Sequence, residues 1–328
     1  MLLCVALIAS LAAGAAADRS ERAINFKSGA VVLSGSILFP RSSAPFAAVA
    51  LLHGSGPQTR DWLLPIASRL AEAGVAVLVF DKRGTGRSTG AWISASLEDL
   101  TEDALQAVRA LASQPEVNGK PVGVFAISQS GWYAPLVAMR EPAVRFLAVV
   151  TGGGATPREV EWFGYERALR QRGISGGDLA KARQVVRSYF DYLATGAGLP
   201  DLSRALKDGE GSPWGEALRL DRVLPPPEAR ASWAWVATFD PVPSIEKLSI
   251  PVLLFFGGRD ELLPTELSMQ RWTEALGRSE ARATVRLFAE AGHGITLGAH
   301  HGDHSHEQQY AIGYFEMLTA WLHDVARH

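Results

Sequence analysis

Cysteine is nearly absent from this sequence. Among 328 residues there is one, Cys4, inside an apolar N-terminal stretch. The rest of the chain therefore has no thiol for a disulfide, a thiolate zinc site or a cysteine nucleophile. An excess of either charge is missing too: 32 Lys and Arg stand against 34 Asp and Glu, a formal net charge of -2. No run of like charges is long enough for a nucleic-acid or anionic-membrane footprint. A small neutral or modestly charged partner is expected, and no nucleic acid. Dinucleotide and phosphate fingerprints are also lacking. No G-x-G-x-x-G joins a first strand to a helix and no G-x-x-x-x-G-K-[ST] occurs, so no cofactor is expected.

Long apolar runs are confined to the start. Residues 2–17 are apolar or small and end in Ala15-Ala16-Ala17 before Asp18. This pattern predicts a signal peptide over 1–17 with an A-x-A cleavage site, and an exported protein, periplasmic or extracellular. The run is short of the roughly 20 residues that a spanning helix needs. Nothing else resembles such a helix, so no stable membrane insertion is expected after signal removal.

With 47% hydrophobic and 20% charged residues, the composition is that of a globular protein and excludes disorder and collagen. The chain opens with antiparallel-type strands around Val31-Val32-Leu33 and Ser36-Ile37-Leu38-Phe39, beside turn residues Ser28-Gly29 and Ser34-Gly35. Short continuous apolar runs follow at 47–52, 75–80, 122–127, 146–151 and 252–256, as expected of strands buried on both faces. Helical periodicity separates them at 62–73 and 97–112 and recurs at 307–325. This alternation predicts an α/β protein with a mostly parallel, doubly wound sheet.

The alternation breaks once. Residues 152–239 contain no strand-like run but two amphipathic stretches, 158–172 and 177–195, and many aromatics. They are expected to form a helical cap insertion between core segments 18–151 and 240–328. Most of its aromatics fit a second small core, and a few should line a pocket over the carboxyl ends of the strands.

The sharpest local signal is Val122-Gly-Val-Phe-Ala-Ile-Ser128-Gln-Ser-Gly-Trp132, a buried strand running into a helix with a serine at the junction. That is the pattern of a nucleophile elbow, where the turn exposes the hydroxyl above the sheet. The positions two before and two after the serine must be small, and they hold Ala126 and Ser130 in place of the usual glycines. Ser130 as nucleophile would put Trp132 where bulk is poorly tolerated, so Ser128 is preferred. A serine needs a base and an orienting carboxylate. Asp260 follows a late strand, with Glu261 as the alternative acid, and His293 follows the next strand. Ser, Asp, His is the chain order of α/β-hydrolase triads. The loop His53-Gly54-Ser55-Gly56-Pro57 follows an early buried strand. It is expected to give one oxyanion donor, the Ser55 N–H, with the Gln129 N–H as the other. His53 reads as a structural histidine fixing that loop.

These features resemble the α/β-hydrolase superfamily, and within it the bacterial carboxylesterases related to serine-aminopeptidase-like hydrolases. The resemblance spans nearly all of the chain after the signal segment. It rests on Leu52-His-Gly-Ser-Gly-Pro57, Phe80-Asp-Lys-Arg-Gly-Thr-Gly-Arg-Ser88 and Ser128-Gln-Ser-Gly-Trp-Tyr-Ala-Pro135, with departures at Ala126, Ile127 and Ser130. It implies hydrolysis of a small-molecule acyl ester. Thioesters or an N-terminal peptide bond are the alternatives, the latter needing an amine anchor such as Glu159, Glu161 or Glu166. A ligand-binding protein without catalysis is the reading from another class. Asp81-Lys82-Arg83-Gly84 is expected to pair internally and fix neighbouring loops. The cluster His300, His301, Asp303, His304 and His306 has no metalloprotease spacing and reads as an exposed loop, so no metal is expected.

Overall fold

The computed structural model describes residues 20–220, 224–298 and 309–327. The segment expected to be a signal peptide, Cys4 and the His300–His306 cluster lie outside the described residues.

Eight strands form one sheet in the order β1-β2-β4-β3-β5-β6-β7-β8. β1 (Ser20–Ser28) and β2 (Val31–Phe39) make the antiparallel opening, and β2 runs antiparallel to β4 (Ala76–Phe80). The remainder is parallel: β4 pairs with β3 (Ala48–Leu52), followed by β5 (Val122–Ile127), β6 (Val144–Val150), β7 (Val252–Gly257) and β8 (Ala283–Phe288). The mostly parallel, doubly wound sheet expected from the alternation is thus the observed one. The inner strands are apolar on both faces because helices cover both. β8 is the exception. It lies at the edge with most of its residues exposed, so it carries no continuous apolar run for a sequence reading to find.

On one face lie α2 (Leu97–Ala112), α3 (Ser130–Arg140) and α11 (Thr265–Leu276), whose Leu105, Val137 and Trp272 join the core of that side. On the other lie α1 (Leu64–Glu72) and α12 (Tyr314–Val325), contributing Leu70 and Leu318. A 3-10 turn, Arg60–Trp62, precedes α1, so the helical pattern read from Trp62 covers two elements. α12 starts later than the periodicity suggested, at Tyr314 behind Gly313 (φ 82°), because Tyr310 ahead of it pairs with Thr296 in a β-bridge.

Between β6 and β7 the described residues form helices and no strand: α4 (Pro157–Gln171), α5 (Gly176–Thr195), α6 (Leu199–Asp208), α7 (Pro213–Leu218), α8 (Arg230–Trp233), α9 (Trp235–Thr238) and α10 (Val242–Ile245). α4 begins where Pro157 and a Thr156/Glu159 capping box dictate, each side chain bonded to the other's backbone N–H. Leu169, Tyr189, Phe190 and Trp214 form an apolar cluster belonging to this segment alone. Ion pairs tie it to the sheet unit: Glu159 with Arg271 on α11, and Arg167 with Glu261 after β7.

Candidate active site

The parallel strands β3 to β8 end on one side of the sheet, and the residues singled out from the sequence gather there. Ser128 follows the last residue of β5 with φ 55°, a backbone region costly for a non-glycine residue and found where the surroundings over-determine it. Those surroundings are glycines beyond the two flanking positions. A Cβ on Gly152 would lie 2.3 Å from the Ser128 carbonyl oxygen, and one on Gly131 would lie 2.6 Å from the backbone of Gly152. Close approach of the β6 exit therefore replaces the spacing that flanking glycines provide elsewhere. Ser130 is fully buried: its Oγ accepts from the Ile127 N–H at 2.8 Å and lies 2.9 Å from the Ile127 carbonyl, to which it donates. Serine at this place satisfies backbone groups that the turn leaves free, and the competing hydroxyl does not line the cavity.

His293 and Asp260 meet across the ends of β7 and β8. Asp260 Oδ2 lies 2.8 Å from His293 Nδ1, while Oδ1 accepts from the N–H groups of Leu262 at 2.8 Å and Leu263 at 2.9 Å. The carboxylate is thus held by its own loop and pointed at the imidazole. The histidine loop is shaped by Gly294 (φ 70°) and Ile295 (φ 62°) and tied to the sheet by Gly294 N–H donating to Thr151 Oγ1 at 3.1 Å. Glu261, the alternative acid, turns away to Arg167.

On the opposite flank of Ser128, a Cβ on Gly54 would sit 3.5 Å from the Ser128 Cβ, so this loop approaches the serine through bare backbone. Neither the Ser55 nor the Gln129 N–H is taken up by a backbone acceptor among the described residues. The charged segment after β4 departs in part from expectation. Asp81 pairs with Arg60 and Arg83 with Asp103, fixing loops as anticipated. Lys82 does something else: its buried Nζ donates to the Gly54 carbonyl at 2.9 Å and to Gln129 Oε1 at 2.7 Å. It clamps together the two segments that carry the free N–H groups. Its place at the carboxyl end of a fully buried strand was the available signal.

A family model described as the alpha/beta hydrolase family matches residues 49–308. The chain belongs to that family. Among curated proteins, esterase EstD of Thermotoga maritima is 27% identical over 279 residues, 81% of this chain. The chain spans only 58% of that relative's length. An uncharacterized 31.7 kDa protein of Escherichia coli is 24% identical over 285 residues, 86% of this chain and 90% of its own. Among solved structures, Pyrococcus furiosus esterase Pf2001 matches with a TM-score of 0.57 at 15% identity, covering 94% of this chain and 90% of that one. DcsB in complex with its substrate analogue matches with a TM-score of 0.59 at 16% identity, covering 94% of this chain and 100% of the other.

Two cavities open from the site of this alpha/beta hydrolase. One, about 230 Å³, is lined by Ser128, His293, Ser55, Thr151 and Leu263 among others. The second, about 240 Å³, touches Ser55 and Gln129 and is walled by Trp92, Trp132, Trp233 and Trp235. Among the described residues there is no cluster of His, Cys, Asp and Glu fit for a metal, and no helix long and apolar enough to cross a membrane.

His53 lies behind the loop, its ring edge-on to Phe80 at 4.8 Å and its Nε2 without a partner among the described residues. Burial, and then the charge of Lys82, push its pKa from 6.5 down to about 3. The folded state therefore refuses a proton that the unfolded chain takes up below 6.5, so the contribution is complete above that pH and is lost as pH falls toward 3. Asp81 acts in the same direction. Burial would raise its pKa, but Arg60 and backbone donors outweigh it and bring it to about 2. Urea unfolding at pH 7 and pH 4 is expected to show a loss of about 3 kcal/mol from His53 alone. In His53→Gln the drop should shrink by that amount, and equal drops in both proteins would exclude His53 as the cause.

Proposed function

We propose that the protein is a serine hydrolase that cleaves carboxylic esters of small molecules. The observation that carries this reading is the contact of His293 Nδ1 with a buried, doubly anchored Asp260 carboxylate beside a serine held at positive φ in the same cavity. Ser128 Oγ attacks the ester carbonyl while His293 Nε2 takes its proton, and Asp260 holds the imidazolium that results. The oxyanion is met by the Ser55 and Gln129 N–H groups, whose spacing Lys82 maintains. His293 then protonates the departing alcohol. In the second half it draws a proton from water, which releases the acid and restores the serine. The names of EstD and Pf2001 as esterases support an ester as the first substrate class to try.

Labelling with a fluorophosphonate probe followed by peptide mapping tests this directly. The adduct is expected on Ser128, with loss of p-nitrophenyl butyrate hydrolysis in proportion to labelling. A folded protein that binds ligand but neither labels nor hydrolyses would establish the non-catalytic reading instead.

A further inference from the structure

The three acidic residues of α4 do not share one environment. Glu159 closes its capping box and pairs with Arg271, and Glu166 pairs with Arg183. Glu161 has neither kind of partner. Enclosure by the site raises its pKa above the ordinary carboxylate value, with the nearby Tyr165 hydroxyl opposing the rise. Its side chain nonetheless stays accessible, because it faces the interior of the site and lines both cavities. The carboxyl at this accessible cavity wall has no ion-pair partner among the described residues, and a cation entering the cavity would supply a countercharge.

The walls around it suit such a cation. Trp92 and Trp233 meet edge-to-face with centroids 6.4 Å apart, and Trp132 and Trp235 do so at 5.8 Å. The indole N–H of Trp132 is spent on the Ala155 carbonyl, and that of Trp233 on the Ile93 carbonyl. Trp132 and Trp233 thus offer π surface rather than donors, while the Nε1 of Trp235 is buried without a partner among the described residues; ring faces attract alkylammonium groups. Lys82, the cation bordering this cavity, is already committed to Gly54 and Gln129.

The two arms of an ester can be assigned to the two cavities. His293 must reach the leaving oxygen to protonate it, so the cavity that contains His293 takes the alcohol. The tryptophan-walled cavity touches Ser55 and Gln129 but neither Ser128 nor His293, and it takes the far part of the acyl chain.

Resting on the serine-esterase reading above, we infer that the preferred substrates are esters whose acyl chain carries a cationic ammonium group, held by Glu161 among the indoles. The test compares two p-nitrophenyl esters of equal shape, the 4-(trimethylammonio)butanoate and its neutral isostere, the 5,5-dimethylhexanoate. The charged ester is expected to have the higher kcat/KM by about tenfold or more, the size of a desolvated cation–π contact assisted by a carboxylate. In Glu161→Gln the ratio should fall towards one. Turnover of both esters at equal rates would overturn the inference while leaving the esterase reading intact. A second pair, 2-(trimethylammonio)ethyl butyrate and 3,3-dimethylbutyl butyrate, places the charge on the alcohol; a preference confined to that pair would overturn the assignment to the acyl arm. If no ester is hydrolysed, the esterase reading fails separately. Quenching of tryptophan fluorescence by butyltrimethylammonium still decides the ammonium site: binding weakened about tenfold by Glu161→Gln supports it, and equal or absent binding in both proteins rejects it.

Discussion

Replacing Ser128 with alanine is expected to lower kcat/KM for p-nitrophenyl butyrate by at least about ten-thousand-fold, with far-UV circular dichroism unchanged. Members of a triad act as a unit, so removing the nucleophile forfeits what the base and the carboxylate contribute as well. Relief of the positive φ is no route to rescue, since alanine has the same Cβ and the turn is imposed by Gly131 and Gly152. The contrasting change is Ser130→Ala. It strips a partner from the Ile127 N–H and leaves the Ile127 carbonyl without its donor, so a loss of about 1–3 kcal/mol in stability is expected, with most activity retained at a temperature where the variant is folded. If the alanine at 130 were the inactive one and the alanine at 128 active, the register of the turn would be wrong.

Asp260→Asn is the second large effect, and here the loop decides the outcome. The N–H groups of Leu262 and Leu263 both point at Oδ1, so an asparagine must turn its carbonyl oxygen to them and its NH₂ to His293. The imidazole then has to accept at Nδ1 and carry its proton on Nε2, the tautomer that cannot take a proton from serine. A fall in kcat of about ten-thousand-fold is expected, with little change in thermal midpoint because the two backbone bonds survive. Retention of more than about a tenth of the activity would show that His293 does not need this carboxylate, and attention would move to Glu261.

Much of this was legible from residues alone. β3 to β7 are buried on both faces, which forces uninterrupted apolar runs such as Ala76–Phe80. A turn that must expose Ser128 demands small neighbours, and that demand is visible even where Ala126 and Ser130 stand in for glycine. What the sequence did not disclose were contacts between segments far apart in the chain. Nothing around Gly152 announces that its missing side chain makes room for the Ser128 carbonyl. Lys82 sits in a charged segment whose other two members form ion pairs, and only the approach of Gly54 and Gln129 sets it apart. Glu159, Glu161 and Glu166 look alike on one helix until Arg271 and Arg183 claim two of them. β8 was readable only through the histidine that follows it, since an edge strand has no need of apolar residues on both faces.

The glycines that follow β6 also govern how the insertion could be exchanged. Gly152 and Gly153 touch the serine turn and α3, and Gly154 packs on the backbone of Ser268 and the ring of Trp272. The root of the helical segment is thus built into the turn that carries Ser128, and the part free to vary begins at the Thr156 cap. A chimaera that swaps the whole stretch from residue 152 would transplant the scaffolding of the serine together with the walls of the pocket. Joining a foreign segment after Ala155 and returning before Asp240 would alter the walls alone. In this molecule the boundary between what makes the serine stand up and what selects its partner falls within a single four-residue link.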